Sequence, residues 1–220
     1  MKRLLIYGAR HLDVIKLIDA INRTQPTFEV VGFVTDSPEE QGRVLMSYPV
    51  LGGRAMLSRW AQDRDVVFCS NITSSLRNRR KIGALLEENR CEVVSLVHPL
   101  VDMTYVTCGS GAIIPEGCVV GGNVTIGRHF TCRLKSVISH NVTIGDFVFV
   151  GAGVTCCGHS VLGDGCFVGA GTTLSAGVKI GAGAVVGAGS VVLEDIPSGV
   201  LAYGVPAKVK RAFREDETVG

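Results

Sequence analysis

Residues 142–187 read VTIGDFVFVGAGVTCCGHSVLGDGCFVGAGTTLSAGVKIGAGAVVG. An aliphatic residue or a cysteine returns at every sixth position of this stretch, and the same spacing runs without an insertion from Cys108 to Val192. A glycine or another small residue follows most of these fifteen marker positions. Such six-residue repeats are typical of a β-solenoid, in which each repeat supplies one short strand and one turn.

Three repeats close one triangular coil, so the pattern predicts about five coils. Each marker side chain should point into the coil and stack on its equivalent eighteen residues away. The small residue that follows the marker is expected to permit the sharp turn. Five cysteines occupy inward positions, and we interpret them as small buried hydrophobic side chains. They are Cys108, Cys118, Cys132, Cys156 and Cys166.

Residues 1–97 show a different pattern, in which short hydrophobic runs alternate with segments of helical spacing. The predicted strands cover residues 4–7, 30–34, 66–69 and 93–97, and the predicted helices cover residues 12–21 and 76–86. Strands that alternate with helices indicate βαβ units and a parallel sheet. A basic run, Arg77, Arg79, Arg80 and Lys81, is interpreted as a solvated face of the second helix.

The two patterns divide the chain into an α/β, Rossmann-like domain (residues 1–97) and a β-helix domain (residues 98–195). Residues 196–220 contain Pro197 and Pro206 and end the six-residue pattern. Because the open end of a solenoid needs a cap, we expect this segment to form a cap and a tail.

Composition excludes several classes of function. The formal net charge of +2 argues against a nucleic-acid partner. No signal peptide or membrane-spanning run is evident, so we expect a cytoplasmic protein without a membrane partner. In that compartment we expect the eight cysteines to be reduced. The sequence has no Cys-x-x-Cys pair, which argues against a zinc knuckle, and we expect no metal site.

Several motifs combine with these two patterns. They are Tyr7-Gly8-Ala9 with His11, His98-Pro99, residues 136–140 (SVISH), residues 144–147 (IGDF) and residues 204–208 (GVPAK). Over nearly its full length the chain resembles the NeuD/PglD family of sugar acetyltransferases, which are left-handed β-helix enzymes. The resemblance implies a homotrimer, acetyl-CoA bound between adjacent β-helices, and a nucleotide-linked amino sugar bound by the N-terminal domain.

The resemblance also assigns residues. The catalytic histidine of the family falls on His140, and its usual acidic neighbour is replaced by Asn141. The acetyl-CoA contacts fall on Phe149, Gly158, Ala170 and Ala188. Independently of the resemblance, the basic residues Lys208, Lys210 and Arg211 after the last coil are candidates for contact with the CoA phosphates. The nucleotide-sugar contacts fall on Arg10, His11, Thr35, Asp36, Cys69 and Ser70, with Gly8 in the turn before the first helix.

The chemistry is consistent with these roles. Acetyl transfer to an amine requires a group that accepts a proton, and a histidine side chain titrates near neutral pH. His140 follows the marker Ile138 by two positions, so its side chain should leave the coil near a corner. Asn141 has no charge and offers only hydrogen bonds to the ring. Asp36 follows the second strand, where a carboxylate commonly meets a ribose or a base.

Three other functions would fit parts of this pattern. An O-acetyltransferase of sialic-acid type would share the fold and the base. A metal-dependent hydratase is disfavoured, because His129, His140 and His159 include no close pair. A sugar-binding scaffold without activity would survive the loss of His140 unchanged.

Overall fold

The computed structural model describes residues 1–218 and places them in an N-terminal α/β part and a parallel β-helix. The N-terminal sheet has the strand order β3-β4-β2-β1-β5 and is parallel except for the β3–β4 hairpin. Its strands are β1 (Lys2–Tyr7), β2 (Phe28–Val34), β3 (Val44–Leu45), β4 (Tyr48–Gly52) and β5 (Val66–Ser70). The helices are α1 (Asp13–Thr24), α2 (Leu57–Trp60) and α3 (Leu76–Glu88), with a 3-10 turn at Arg54–Met56.

The N-terminal elements form where hydrophobic spacing indicates them. Leu4, Leu5 and Ile6 of β1 are fully buried because β1 is central in the sheet, with β2 and β5 on its two sides. On α1, Ile15 and Ile18 face the core. Ser75 precedes the first residue of α3, and its side chain caps the helix by accepting a hydrogen bond from the backbone nitrogen of Asn78.

The β-helix contains fifteen strands that end at the fifteen marker positions, as predicted. They are β7 (Val106–Cys108), β8 (Ile113–Ile114), β9 (Val119–Val120), β10 (Val124–Ile126), β11 (Thr131–Cys132), β12 (Val137–Ile138), β13 (Thr143–Ile144), β14 (Phe149–Val150), β15 (Thr155–Cys156), β16 (Val161–Leu162), β17 (Phe167–Val168), β18 (Thr173–Leu174), β19 (Lys179–Ile180), β20 (Val185–Val186) and β21 (Val191–Val192). Strands eighteen residues apart pair in parallel, so the markers stack in a continuous core.

These strands form the three faces of a prism. Sheet I contains β7, β10, β13, β16 and β19, sheet II contains β8, β11, β14, β17 and β20, and sheet III contains β9, β12, β15, β18 and β21. Sheet II is extended at one end by β6 (Leu96–Val97) and at the other by β22 (Val200–Gly204) and β23 (Ala207–Ala212). The antiparallel hairpin of β22 and β23 follows the last coil. The last two residues of the predicted tail lie outside the described part of the chain.

One residue at each corner of each coil has a positive φ. These fifteen residues lie three positions before the markers, from Tyr105 to Gly189; eight are glycines and seven are not. They define the three edges of the prism. Edge A, between sheets III and I, carries Tyr105, Asn123, Asn141, His159 and Gly177. Edge B, between sheets I and II, carries Gly111, His129, Phe147, Gly165 and Gly183. Edge C, between sheets II and III, carries Gly117, Lys135, Gly153, Gly171 and Gly189.

The glycines that directly follow the markers were predicted to permit the sharp turn, but the structure gives them another role. None of them has a positive φ, so they do not make the turn. A Cβ added to Gly151 would lie 2.5 Å from the backbone nitrogen of Ala170 in the next coil. The prediction that this position permits the turn is therefore wrong, because its small size permits close stacking of the coils.

We expect Gly151→Ala to lower the free energy of unfolding by about 3 kcal/mol, since the added methyl group meets backbone that cannot move aside. Gly153→Ala is the matched control. Its Cβ meets nothing within 4 Å, and it only forces alanine into the left-handed region. That should cost about 1–2 kcal/mol. Chemical denaturation at one fixed protein concentration measures both values, and a larger loss for Gly153→Ala would contradict this explanation.

The predicted strand at residues 93–97 does not complete the N-terminal sheet. Val93 makes one isolated bridge to Phe68 of β5, after which Leu96 and Val97 form β6 and pair with β8 of the β-helix. The hydrophobic run was correctly identified, but its pairing partner was not. Local hydrophobicity does not specify which sheet receives a strand.

Helix α3 lies along edge B of the β-helix. A Cβ on Gly165 would meet the side chain of Leu76, and a Cβ on Gly83 would meet the ring of Phe147. Arg79 donates from Nη1 to the carbonyl oxygen of Phe147 (3.0 Å) and from Nη2 to that of Gly165 (3.2 Å). Helix α3 therefore contacts two successive coils.

Arg79 also corrects the interpretation of the basic run. Only 6% of this residue is exposed, and burial lowers the pKa of its guanidinium group to about 10. Arg77 and Arg80 pair with Asp216 and Glu215 of the C-terminal segment. The run thus joins α3 to the β-helix and to the C-terminal segment, whereas Lys81 remains exposed.

No helix within residues 1–218 is both long and apolar enough to cross a bilayer.

Candidate active site

A cavity with a volume of about 770 Å³ lies between the N-terminal sheet and sheet II. Residues that follow β1, β2, β4 and β5 line it, as do the first turns of α3. This is the edge at which the carboxyl ends of the parallel strands meet. Ligands of α/β proteins bind at this edge.

Most of the predicted nucleotide-sugar residues lie in this lining. They are Gly8, Arg10, His11, Thr35 and Asp36. The side chain of Cys69 is fully buried in the sheet and, like Ser70, does not line the cavity. The structure therefore brings together the predicted residues after β1 and β2. At β5 the two predicted residues lie within the strand, and the loop after the strand lines the cavity instead.

Asp36 is held by two neighbours. Its Oδ1 accepts a hydrogen bond from the backbone nitrogen of Arg54 (2.9 Å), and its Oδ2 accepts from the guanidinium group of Arg54 and from the hydroxyl group of Tyr7 (2.9 Å). Burial tends to raise the pKa of Asp36, but the hydrogen bonds from Arg54 and Tyr7 hold it below its usual value. Asp36 is thus an anion, and the three hydrogen bonds that its carboxylate accepts orient Tyr7 and Arg54.

The loops after β1 and β5 are tied together. Asn71 donates from its amide nitrogen to the carbonyl oxygen of His11 (2.8 Å), while Nε2 of His11 contacts the hydroxyl group of Thr73. Burial, and then the positive charge of Arg133, lower the pKa of His11. His11 therefore contributes a neutral imidazole ring to the cavity wall near neutral pH.

Charges in the lining are unevenly distributed. At the end formed by β2 and β4, Asp36 pairs with Arg54, and Glu40 lies 3.8 Å from Arg10. At the α3 end Lys81 is exposed and forms no ion pair with the described residues. The α3 end is therefore positive, while the opposite end is close to neutral.

Sheet II contributes an aromatic wall. Phe149 and Phe167 stack with their ring centroids 4.7 Å apart, and the guanidinium group of Arg133 lies 5.7 Å from the Phe149 ring. Both phenylalanines line the cavity. Phe149, predicted from the resemblance as an acetyl-CoA contact, thus lies beside the predicted nucleotide-sugar residues.

His140 lies elsewhere, exposed on edge A. Oδ1 of Asn141 is 2.9 Å from Nδ1 of His140. An amide oxygen only accepts, so this contact favours the tautomer with its proton on Nδ1 and leaves the Nε2 lone pair free to take a proton. Asn141 adopts a φ of 59°, which an asparagine tolerates better than most residues.

The ring of His140 rests on the next coil. A Cβ added to Gly158 would lie 2.6 Å from Cε1 of His140, so any side chain at position 158 would displace the ring. His159 meets the ring edge-on, with centroids 5.2 Å apart. Gly158, a predicted acetyl-CoA contact, thus borders the predicted base.

His140 and the cavity lie on opposite sides of one chain. His140 is on edge A, between sheets III and I, whereas the cavity opens against sheet II. In a three-sided prism that edge is opposite sheet II. The remaining predicted acetyl-CoA residues are also distant from edge A: Ala170 and Ala188 are exposed beside edge C, and Lys208 lies on β23, paired with Glu194.

The structure adds residues that the sequence did not identify. They are Tyr7, Arg54, Thr73, Lys81 and Phe167. Tyr7 and Thr73 had a signal, since they end or follow hydrophobic strands. Arg54 had none, because it reaches Asp36 only after β4 pairs beside β2.

Comparisons with known proteins agree with the six-residue repeats of the β-helix. A family model described as bacterial transferase hexapeptide (six repeats) matches residues 159–194, and one described as hexapeptide repeat of succinyl-transferase matches residues 141–176. A search of curated protein sequences finds no match.

Solved structures match over almost the whole chain. The chain is similar to GDP-perosamine N-acetyltransferase from Caulobacter crescentus in complex with CoA and GDP-perosamine, with 26% identity, a TM-score of 0.85 and coverage of 96% of this chain and 97% of that one. WeeI from Acinetobacter baumannii AYE is 25% identical, with a TM-score of 0.81 and coverage of 96% and 100%. The acetyltransferase domain of PglB from Neisseria gonorrhoeae FA1090, at 20% identity, a TM-score of 0.84 and coverage of 96% and 100%, shares the fold. These matches confirm an α/β region followed by a left-handed β-helix.

Proposed function

We propose that this chain, which belongs to the hexapeptide-repeat sugar acetyltransferases and uses acetyl-CoA, acetylates the amino group of a nucleotide-linked amino sugar. The observation that carries the proposal is His140, exposed on the β-helix with Nδ1 held by Asn141 and Nε2 free. The cavity at the carboxyl ends of β1, β2 and β5 supports a nucleotide-sugar site within residues 1–97. Residues 98–195 would then carry acetyl transfer.

His140 acts as the general base in a direct transfer. The amine nitrogen attacks the thioester carbon, the C–N bond forms, and Nε2 accepts the proton that the nitrogen loses. The C–S bond then breaks, and the CoA sulfur leaves as a thiolate that takes up a proton. Asn141 keeps the ring in the tautomer that makes Nε2 the accepting atom.

We propose that two chains form each site and that the enzyme is a homotrimer. Since His140 and the cavity lie on opposite sides of one β-helix, a sugar held in one chain meets the His140 of another. The predicted acetyl-CoA residues support this arrangement, because Gly158 lies on edge A and Ala170 and Ala188 lie beside edge C. A groove between edge A of one chain and edge C of the next brings them together.

We also place the enzyme in the cytoplasm. All eight cysteines are free thiols, and most are buried inside the two parts of the chain. Free thiols are typical of proteins in a reducing compartment.

An acetyl-CoA consumption assay tests the proposed function. The panel comprises UDP-, GDP- and dTDP-linked amino sugars, with free sialic acid as the comparison. We expect release of CoA thiol with one of the nucleotide-linked amines. Turnover with sialic acid alone would instead indicate an O-acetyltransferase, and turnover with none would favour a sugar-binding scaffold.

We expect Asn141→Asp to shift the acidic limb of the turnover–pH profile to higher pH, by up to about one unit for an exposed pair. A carboxylate 2.9 Å from Nδ1 stabilises the imidazolium form of His140. The neutral ring that accepts the proton would then predominate only at higher pH. A limb that stays in place or moves to lower pH would contradict the contact between residues 140 and 141.

Asn141→Gly is the matched control. Glycine adopts the positive φ of this position without strain but removes the amide oxygen. We expect a lower maximal turnover, because Nδ1 loses its partner, without the shift to higher pH that a carboxylate causes. A thermal melt of both variants reports whether the fold of edge A is retained.

A further inference from the structure

We propose that Arg54 recognises the nucleobase of the sugar nucleotide. It selects bases with a carbonyl oxygen at C6 of a purine or C4 of a pyrimidine (guanine, uracil or thymine) over adenine and cytosine, which carry an amino group at that position. Asp36 and Tyr7 serve as positioning residues that hold Arg54. This inference rests on the proposed function, since it takes the ligand of the cavity to be a nucleoside diphosphate sugar.

Arg54 is both fixed and available. It begins the turn after β4, where its backbone nitrogen and its guanidinium group both donate to Asp36. Tyr7 donates to the same carboxylate and so restricts its rotation. A guanidinium group carries five N–H donors, and only one of them reaches a partner among the described residues. The side chain is 45% exposed in the cavity wall, so its other donors remain open to a ligand.

The charge around Arg54 disfavours a phosphate. Asp36 neutralises its guanidinium group, and Glu40 lies 3.8 Å from Arg10, so this end of the cavity is close to neutral. Lys81, at the α3 end, has no acidic partner within the described part of the chain and therefore attracts the diphosphate. Arg54 is left to donate hydrogen bonds to an uncharged acceptor.

The strand order supplies the direction of the ligand. Proceeding across the sheet edge, the lining residues follow β4, β2, β1 and β5 and then α3 and sheet II. Neighbouring strands lie about 4.8 Å apart, so Arg54 and the loop after β5 are separated by roughly 14 Å. In the two-chain site proposed above, acetyl transfer takes place in the groove beside edge C, which borders sheet II, so the reacting sugar lies towards sheet II. The base therefore lies at the far end, beside Arg54.

An arginine that only donates distinguishes bases by their acceptors. The exocyclic oxygen of guanine, uracil or thymine accepts a hydrogen bond from it. The amino group of adenine or cytosine at the same place presents a donor to a donor, so the hydrogen bond that the carbonyl oxygen accepts is lost. The pairs GDP and ADP, and UDP and CDP, test this difference directly.

Calorimetry on the full chain with UDP, CDP, GDP and ADP tests the proposal. We expect the wild-type protein to bind the better of UDP and GDP at least about tenfold more tightly than its amino counterpart. Arg54→Gln should remove most of that preference by weakening the carbonyl-bearing nucleotide. Asp36→Asn should lower the same ratio, because the amide no longer fixes the guanidinium group by charge.

Arg43→Gln, an exposed substitution outside the cavity, is the control and should leave all four affinities unchanged. Equal affinity of the wild type for both members of each pair would overturn the proposal, as would an equal loss for all four nucleotides in Arg54→Gln. If none of the four binds to the wild type, the proposed function itself fails. If they bind without discrimination, only the role of Arg54 fails.

Discussion

His140→Ala should lower turnover by about 10²–10⁴-fold, the range that a general base contributes. The Michaelis constant for acetyl-CoA should change little, because the ring takes part in proton transfer and not in holding the thioester. Initial rates at saturating acetyl-CoA and nucleotide sugar measure the effect. A variant that keeps most of its turnover would show that the amine loses its proton to another acceptor.

His159→Asn is the matched control for this substitution. His159 is also exposed on edge A and touches the His140 ring, and asparagine tolerates its φ of 63°. We expect a change of less than about tenfold, since no proton transfer is assigned to it. Comparable losses in both variants would point to packing of the edge and not to base catalysis.

Two inactive chains should restore activity when they assemble together. One carries His140→Ala, and the other carries Arg54→Gln with Lys81→Glu in the cavity. If each site joins His140 of one chain to the cavity of the next, every mixed trimer contains one site with both intact parts, about one third of the wild-type number. Co-expression with two different tags and sequential purification isolates the mixed trimers.

The alternative outcomes of this experiment are distinct. A site contained in one chain would give no activity in any mixture. A particle mass by light scattering other than about three times the chain mass of 23.3 kDa would contradict the trimer independently. Each inactive parent, purified alone, sets the background rate.

Much of the fold was predictable because each strand and turn of the β-helix corresponds to one six-residue repeat in the sequence. The marker positions, the coil number and the N-terminal strand–helix alternation all follow from local hydrophobic spacing. The β3–β4 hairpin was missed because Val44 is exposed and gives no hydrophobic signal. The pairing of β6 was missed because a buried strand has the same hydrophobic pattern whether it joins the N-terminal sheet or sheet II.

The candidate site was predictable only where it lies next to strand ends. Gly8, His11 and Asp36 follow hydrophobic runs, and His140 was identified through the family resemblance. Arg54 and Lys81 required tertiary structure, since one depends on the position of β4 and the other on a helix face that had been assigned to solvent. The opposite placement of His140 and the cavity has no local signature.

Helix α3 fixes the number of coils in the part of the β-helix that it contacts. Coils are interchangeable units, and duplication of eighteen codons would in principle lengthen the prism by one coil. Arg79, however, bridges carbonyl groups of two successive coils, and an extra coil between residues 147 and 165 would move those carbonyls about 4.8 Å further apart. A buried guanidinium group would then lose a partner. Descendants of this gene can therefore gain coils only beyond the reach of α3, towards the cap.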